Sequence, residues 1–251
     1  MTLEILTSDR LGSVRHGFFT RRGGASSGVF SGLNCGLGSS DQADVVQINR
    51  TRVAKAMQVT PEKMVSLQQV HSADVLVVRD PMEGRVEADA VVTKTPGLVL
   101  TVLTADCQPV LLLEPEVGVI GAAHAGWRGA LDGVLDNTVE AMVGLGAIRE
   151  QIVAVIGPSI SQRAYEVGPE FCDTFLKDDP ENAKFFLGGL KDRMQFNLPG
   201  FGLHRLRQAG VGHAEWIRLC TYSDADRFFS FRRSTHTKEA DYGRLISAIK
   251  L

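Results

Sequence analysis

A chain of 251 residues with 44% apolar and 22% charged residues has an ordinary soluble, globular composition and enough length for one large domain. Its formal net charge of -2 argues against nucleic-acid or anionic-membrane binding through bulk electrostatics, while leaving room for a local phosphate pocket. No apolar run approaches the ~20 residues that span a bilayer, and the start Met1-Thr2-Leu3-Glu4-Ile5 has no secretory-signal pattern. The four cysteines, Cys35, Cys107, Cys172 and Cys220, are widely spaced without a CxxC, so a reducing, cytoplasmic address is expected.

A short strand is predicted over residues 14–20. It runs into a glycine- and serine-rich loop, with Arg21-Arg22-Gly23-Gly24, Ser26-Ser27-Gly28 and Leu33-Asn34-Cys35-Gly36. Loops this long inside a compact domain are usually functional or disordered, and the paired arginines favour function. Over residues 44–58, Val45, Ile48, Val53, Ala56 and Met57 recur at helical spacing, with Asp41 or Asp44 to cap the start. Arg50 lies within that helix and reads by itself as a solvated or ion-paired residue.

Strands are predicted at 64–70 and 75–78, with His71 in the turn between them, and again at 89–93 and 98–104. Two further apolar runs, 110–113 and 117–123, frame a turn. The first follows Thr104-Ala105-Asp106-Cys107-Gln108-Pro109, and the second leads into His124-Ala125-Gly126-Trp127-Arg128-Gly129. A helix over 133–145 would bury Val134, Leu135, Thr138, Val139 and Met142. A strand at 152–156, helices at 169–176 and 198–209, and a strand at 215–219 come next. The aromatic run 228–233 reads as a final strand and the chain from about Gly243 as a final helix. With no internal repeat and no linker, residues 1–251 read as a single domain.

Cys107 and His124 at strand ends, with glycines nearby, define two chemistries. They can be a nucleophile with its base, as in a Cys/His hydrolase, or two ligands of a transition metal. His71 would complete a one-thiolate, two-imidazole set with an open fourth position, although spacing alone does not show that the three converge. Asp106 and Asp89 are each either turn formers or outer partners of such ligands. Arginine beside glycine suits capture of phosphate, and Arg21 is the one weighed for that role. Trp127 either stacks on a flat substrate or roofs the core, the latter being favoured.

The sequence resembles the bacterial laccase-domain family, also described as polyphenol oxidases, as purine nucleoside phosphorylases and as peptidoglycan editing factors. The resemblance spans nearly the whole chain, from His16-Gly17-Phe18-Phe19-Thr20-Arg21 through Gln69-Val70-His71 to the two central motifs above. It continues in Gly157-Pro158, Tyr165-Glu166-Val167-Gly168, Cys220-Thr221 and the run from Phe228 to Arg233. It implies an α+β fold with central β-sheets flanked by helices in a layered sandwich. It also implies a metal, usually zinc, on His71, Cys107 and His124, with Cu2+ possible in the same site. The implied reactions are phosphorolysis of adenosine, inosine, guanosine and methylthioadenosine, and deamination of adenosine. Cys107 and His124 would then be catalytic, Arg21 and Arg50 phosphate contacts, and purine nucleosides and phosphate the small-molecule partners of a monomer. Rival readings are a hydrolase editing cell-wall precursors and a polyphenol oxidase. Six histidines with no HxH pair are too few for the type 1 and trinuclear copper centres of a laccase. Ala164 and Asn197 stand where many relatives carry cysteine and aspartate.

Overall fold

The central strands are buried along their whole length, and the alternating direction of their side chains sets the layers. The computed structural model describes residues 2–82 and 84–251. A first sheet has the spatial order β1 (Ile5–Leu6), β2 (Arg15–Phe19), β14 (Leu245–Lys250), β6 (Val99–Thr104), β3 (Met64–Ser66). A second has the order β13 (His213–Trp216), β9 (Val153–Ile156), β7 (Gln108–Glu114), β8 (Val119–Ala125), β5 (Ala90–Thr93), β4 (Val75–Val77). A small third sheet joins β10 (Glu166–Val167), β12 (Met194–Phe196) and β11 (Phe186–Gly188).

The two large sheets pack face to face. Leu100 and Val102 of β6 meet Leu111 and Leu113 of β7 and Ile120 and Ala122 of β8 in one buried cluster. The residues between them point the other way. Val99 joins Ile246 and Ala248 under α1 (Ala43–Ala56), and Val110, Leu112 and Ala123 lie under α3 (Val134–Gly144) and α5 (Leu198–Gln208). Each fully buried aliphatic side chain contributes about 1.5–3 kcal/mol, and here both faces of the strands are filled. The short helix α2 (Trp127–Asp132) precedes α3. α4 (Pro169–Asp178) packs Phe175 against Phe186 and Phe196 of the third sheet. The molecule is thus an α+β sandwich of sheets flanked by helices. Among the described residues no helix is long and apolar enough to cross a membrane.

The C-terminal third departs from the sequence expectation. The run 228–233 is not a strand: Ser230 caps α6 (Phe231–Thr237), its hydroxyl accepting from the Arg233 N–H. The terminal segment is not a helix. It forms β14, paired antiparallel to both β2 and β6 in the middle of the first sheet. A short apolar run such as Leu245 to Ile249 satisfies either period, and two waiting strand edges decide it. β13 starts two residues before the predicted strand at 215, and β3 ends at Ser66, four residues short of the predicted 70.

Candidate metal centre and its two clefts

Where β3 stops, Gln69 continues the pairing to β6 with its side chain. Its Nε2 donates to the Leu103 carbonyl (2.8 Å), and its Oε1 accepts from the Leu103 N–H (2.7 Å). The chain then reaches His71, which sits in the left-handed region at φ 62°. That conformation is costly for a residue with a Cβ and has to be held from outside. Asp89, immediately before β5, holds it. Its Oδ2 accepts from the N–H groups of Val70 (3.1 Å) and Ser72 (2.7 Å) and from the Ser72 hydroxyl (3.0 Å).

The other oxygen of the same carboxylate lies 2.7 Å from Nδ1 of His124, near the end of β8. One buried aspartate therefore positions both histidines, and it leaves His124 Nε2 for a ligand. Burial by itself raises the Asp89 carboxyl, but His124 and the backbone donors outweigh it and hold the group well below the usual carboxylate range.

Cys107 follows Asp106, whose φ of 92° makes the turn from β6 into β7. The Asp106 carboxylate is buried and accepts from the Thr221 hydroxyl (2.6 Å), the Ser230 hydroxyl (2.9 Å) and the Arg232 N–H (2.7 Å). It thereby ties the cysteine turn to the 220s loop and to the start of α6. The turn-forming reading of Asp106 holds, with a bridging role that the sequence did not signal.

The three side chains converge: one ligand atom from each of His71, Cys107 and His124 lies within 4.8 Å of the others. Cys107 Sγ is 3.9 Å from His71 Nε2, close to the ~3.6 Å that tetrahedral zinc with bonds of about 2.3 and 2.0 Å requires. Gly126 makes room for them, since a Cβ there would lie 2.8 Å from His71 Cδ2 and 3.0 Å from Cys107 Sγ. Burial pushes the Cys107 thiol up, but the charge and hydrogen bonds of His124 and His71 reverse this and lower it. His124 is raised despite its burial, by Cys107 first and then by Asp89. The same groups that fit a metal thus each favour the charged form of the other, as a nucleophile and its base do.

His71 and Cys107 stand between two clefts. The first, about 450 Å³, also carries Arg85, Arg244, Gln68, Thr104, Tyr242 and His124. The second, about 550 Å³, is walled by Trp127, Tyr165, Phe171 and Arg232. Phe231, half exposed at the first turn of α6, lines both. Trp127 packs 4.8 Å from the Phe171 ring, the favoured packing reading, and also lines the second cleft.

Neither arginine weighed as a phosphate contact lines these clefts. Arg21 donates to the carbonyls of Ser31 and Ala225 and stacks 4.3 Å above the Phe229 ring. Its own cavity, shared with Arg22 and Arg52, lies along the glycine-rich loop. Arg50 is buried and donates to the Cys35 carbonyl and the Ser66 hydroxyl. Sequence reading missed Arg85, Arg244 and Tyr165, which are brought in by loops. The signal of Gly126 was present, a glycine one residue beyond the strand that carries a candidate ligand. All four cysteines are free thiols.

Residues 15–251 match the family model described as multi-copper polyphenol oxidoreductase laccase. A Deinococcus radiodurans protein named purine nucleoside phosphorylase is 41% identical, over 92% of this chain and 88% of its own length. The Escherichia coli protein named purine nucleoside phosphorylase YfiH is 38% identical, over 92% and 91%. The fold is similar to the crystal structure of a Neisseria meningitidis protein (TM-score 0.90, 33% identity, 100% and 99% coverage) and to that of Geobacillus stearothermophilus YlmD (0.89, 30%, 97% and 93%). With its sandwich, its single His-Cys-His cluster among the described residues and these relatives, the chain belongs to the laccase-like polyphenol oxidase family, whose curated members here carry the name purine nucleoside phosphorylase.

Proposed function

We propose that the protein is a zinc-dependent purine nucleoside phosphorylase acting on adenosine, inosine, guanosine and methylthioadenosine, with hydrolytic deamination of adenosine at the same centre. The observation that carries this reading is the convergence of His71, Cys107 and His124 at the junction of two clefts, in a chain 41% identical to a relative of that name. One soft thiolate and two imidazoles are a donor set that zinc accepts, and copper, which ranks above zinc in intrinsic affinity, can compete for it. The same centre is the one place for a metal among the described His, Cys, Asp and Glu side chains, so the blue and trinuclear coppers of a true laccase have no second site.

Held by His71, Cys107 and His124, zinc would supply a Lewis acid. The remaining work falls to the chain's own residues. Asp89 fixes the tautomer and the plane of His124 and holds His71 in its left-handed turn. Trp127, Tyr165, Phe171 and Phe231 give the second cleft flat apolar walls suited to a purine ring. In deamination, water adds at C6 of adenine and ammonia departs. In phosphorolysis, phosphate replaces the base at the anomeric carbon and needs cationic donors. Arg21 and Arg50, the two arginines first expected in that role, donate to protein acceptors instead.

A second reading, a Cys/His hydrolase acting on a nucleotide-linked muramyl precursor, is favoured by the lowered Cys107 thiol beside His124. The test is to assay the purified protein for metal by mass spectrometry, for base release from inosine with phosphate, and for amino-acid release from such a precursor. Stoichiometric zinc with phosphate-dependent release of hypoxanthine is expected. Metal-stripped protein that still turns over inosine at the full rate would remove the zinc mechanism, and release of an amino acid alone would install the hydrolase.

A further inference from the structure

Resting on the phosphorolytic reading, the geometry points to a division of the two reactants between the two clefts: inorganic phosphate binds in the first, on Arg85 and Arg244 with Thr104, and the purine lies in the second. Phosphorolysis at an anomeric carbon brings phosphate in on the side opposite the departing base. An oxygen of hydrogen phosphate forms the new bond to C1′ as the C1′–N9 bond breaks. The electron pair leaves with the purine, and the proton of the hydrogen phosphate ends on a purine nitrogen. Such a step needs an anion site and an aromatic site that meet at the reacting atom. The two clefts meet at His71, Ala105, Cys107 and Phe231, the four residues that line both.

Their chemistry is opposite in kind. The first cleft has two arginines and, among the described residues, no carboxylate in its lining. The second also has two, Arg193 and Arg232, but sets them against Glu166, Glu170 and Asp106 and adds the aromatic walls. Arg244 is held in shape from behind: its guanidinium stacks 4.4 Å from the Tyr242 ring, and its Nη1 donates to the Tyr242 carbonyl and lies 3.6 Å from Asp241. Its stem packs against Gly36. Nη2 and Nε have no hydrogen-bond partner among the described residues, which leaves part of the guanidinium fork for a ligand.

One observation besides charge points to a ligand there. Thr104, in the lining of the first cleft, is 3% exposed, and its hydroxyl has no hydrogen-bond partner among the described residues. A buried hydroxyl left unpaired is uncommon and calls for an occupant. The charge itself is also felt in the interior: buried Arg50 is held below its ordinary value chiefly by burial and further by the charge of Arg85. An anion entering this side relieves that repulsion.

The test uses the zinc-loaded full chain with inosine and phosphate each varied against saturating partner, and calorimetric titration of inorganic phosphate alone. Arg85→Ala and Arg244→Ala should each raise KM for phosphate about tenfold or more, with KM for inosine changed less than about twofold. Arg85→Lys should recover part of the loss, because it keeps charge but not the planar fork. Tyr165→Ala should show the reverse pattern, raising KM for inosine. Calorimetry should show phosphate bound by the wild type and weakened in Arg85→Ala, a readout independent of turnover. A melting temperature for Arg244→Ala separates lost binding from lost packing, and Arg85, being exposed, supplies the cleaner variant. If the wild type cleaves inosine with phosphate while both arginine variants keep its KM and affinity for phosphate, the division is wrong and the phosphorylase reading survives. If the wild type neither cleaves inosine nor binds phosphate, both fall together.

Discussion

Between residues 21 and 36 the polar side chains turn inward on their own chain, whereas around Cys107 and His124 they leave one direction open. In the glycine-rich loop, Arg21 spends its guanidinium on two carbonyls and the Phe229 ring, and Arg52 donates to the Gly23 carbonyl. Buried Asn49 reaches from α1 to accept from the Ala25 N–H and to donate to the Ser26 hydroxyl and the Asn34 carbonyl. Nearly every donor has a home. Around the cysteine turn, Asp89 and Asp106 are just as fully satisfied, yet they work outward, fixing three side chains whose own donor atoms face one another. Glycine and arginine mark both regions. What separates a scaffold from a site is where the unspent donors point.

That contrast gives a graded set of expectations. The largest effect belongs to Cys107→Ala. Removing one of three ligands should lower zinc affinity by more than the ~100-fold that loss of an outer partner reaches. Phosphorolysis and deamination should disappear together, as read by metal analysis and by base and ammonia release. A metal-free variant that still cleaved inosine would return Cys107 and its neighbours to an ordinary core.

Asp89→Asn should come next. The amide cannot accept from all the donors that now meet at that carboxylate, so zinc affinity should fall about 10- to 100-fold by chelator competition. Unchanged affinity would show that packing alone orients the histidines. The smallest effect is expected from Arg21→Ala. Losing two hydrogen bonds to carbonyls and a cation–π contact should cost about 1–3 kcal/mol of stability by denaturant unfolding. Zinc affinity and KM for phosphate should stay as in the wild type. A raised KM for phosphate with unchanged stability would move the glycine-rich loop from scaffold to site.

Legibility in the sequence followed the range of the forces involved. The aliphatic and β-branched enrichment from Val99 to Thr104 and from Val110 to Leu113 is local, and it marked the buried strands, as helical spacing marked α1 and α3. Cys107 and His124 stood out because glycine and small residues surround them. His71 could be joined to them only through the family resemblance, since its place depends on Asp89, an aspartate that looks like any other before a strand. The aromatic run at 228–233 misled because Ser230 caps a helix under the hold of Asp106, 124 positions upstream. Arg85 and Arg244 carry no local signal at all, and only the closure of the sandwich brings them beside His71.

Asp106 has a mechanical meaning beyond its hydrogen bonds. It is the immediate neighbour of Cys107, and through Ser230 and the Arg232 N–H it grips the residues on either side of Phe231, the one aromatic wall common to both clefts. Wall and sulfur therefore share one anchor, a buried carboxylate. Substituting Asp106 should therefore disturb the seat of the thiol and the shared wall of both clefts together.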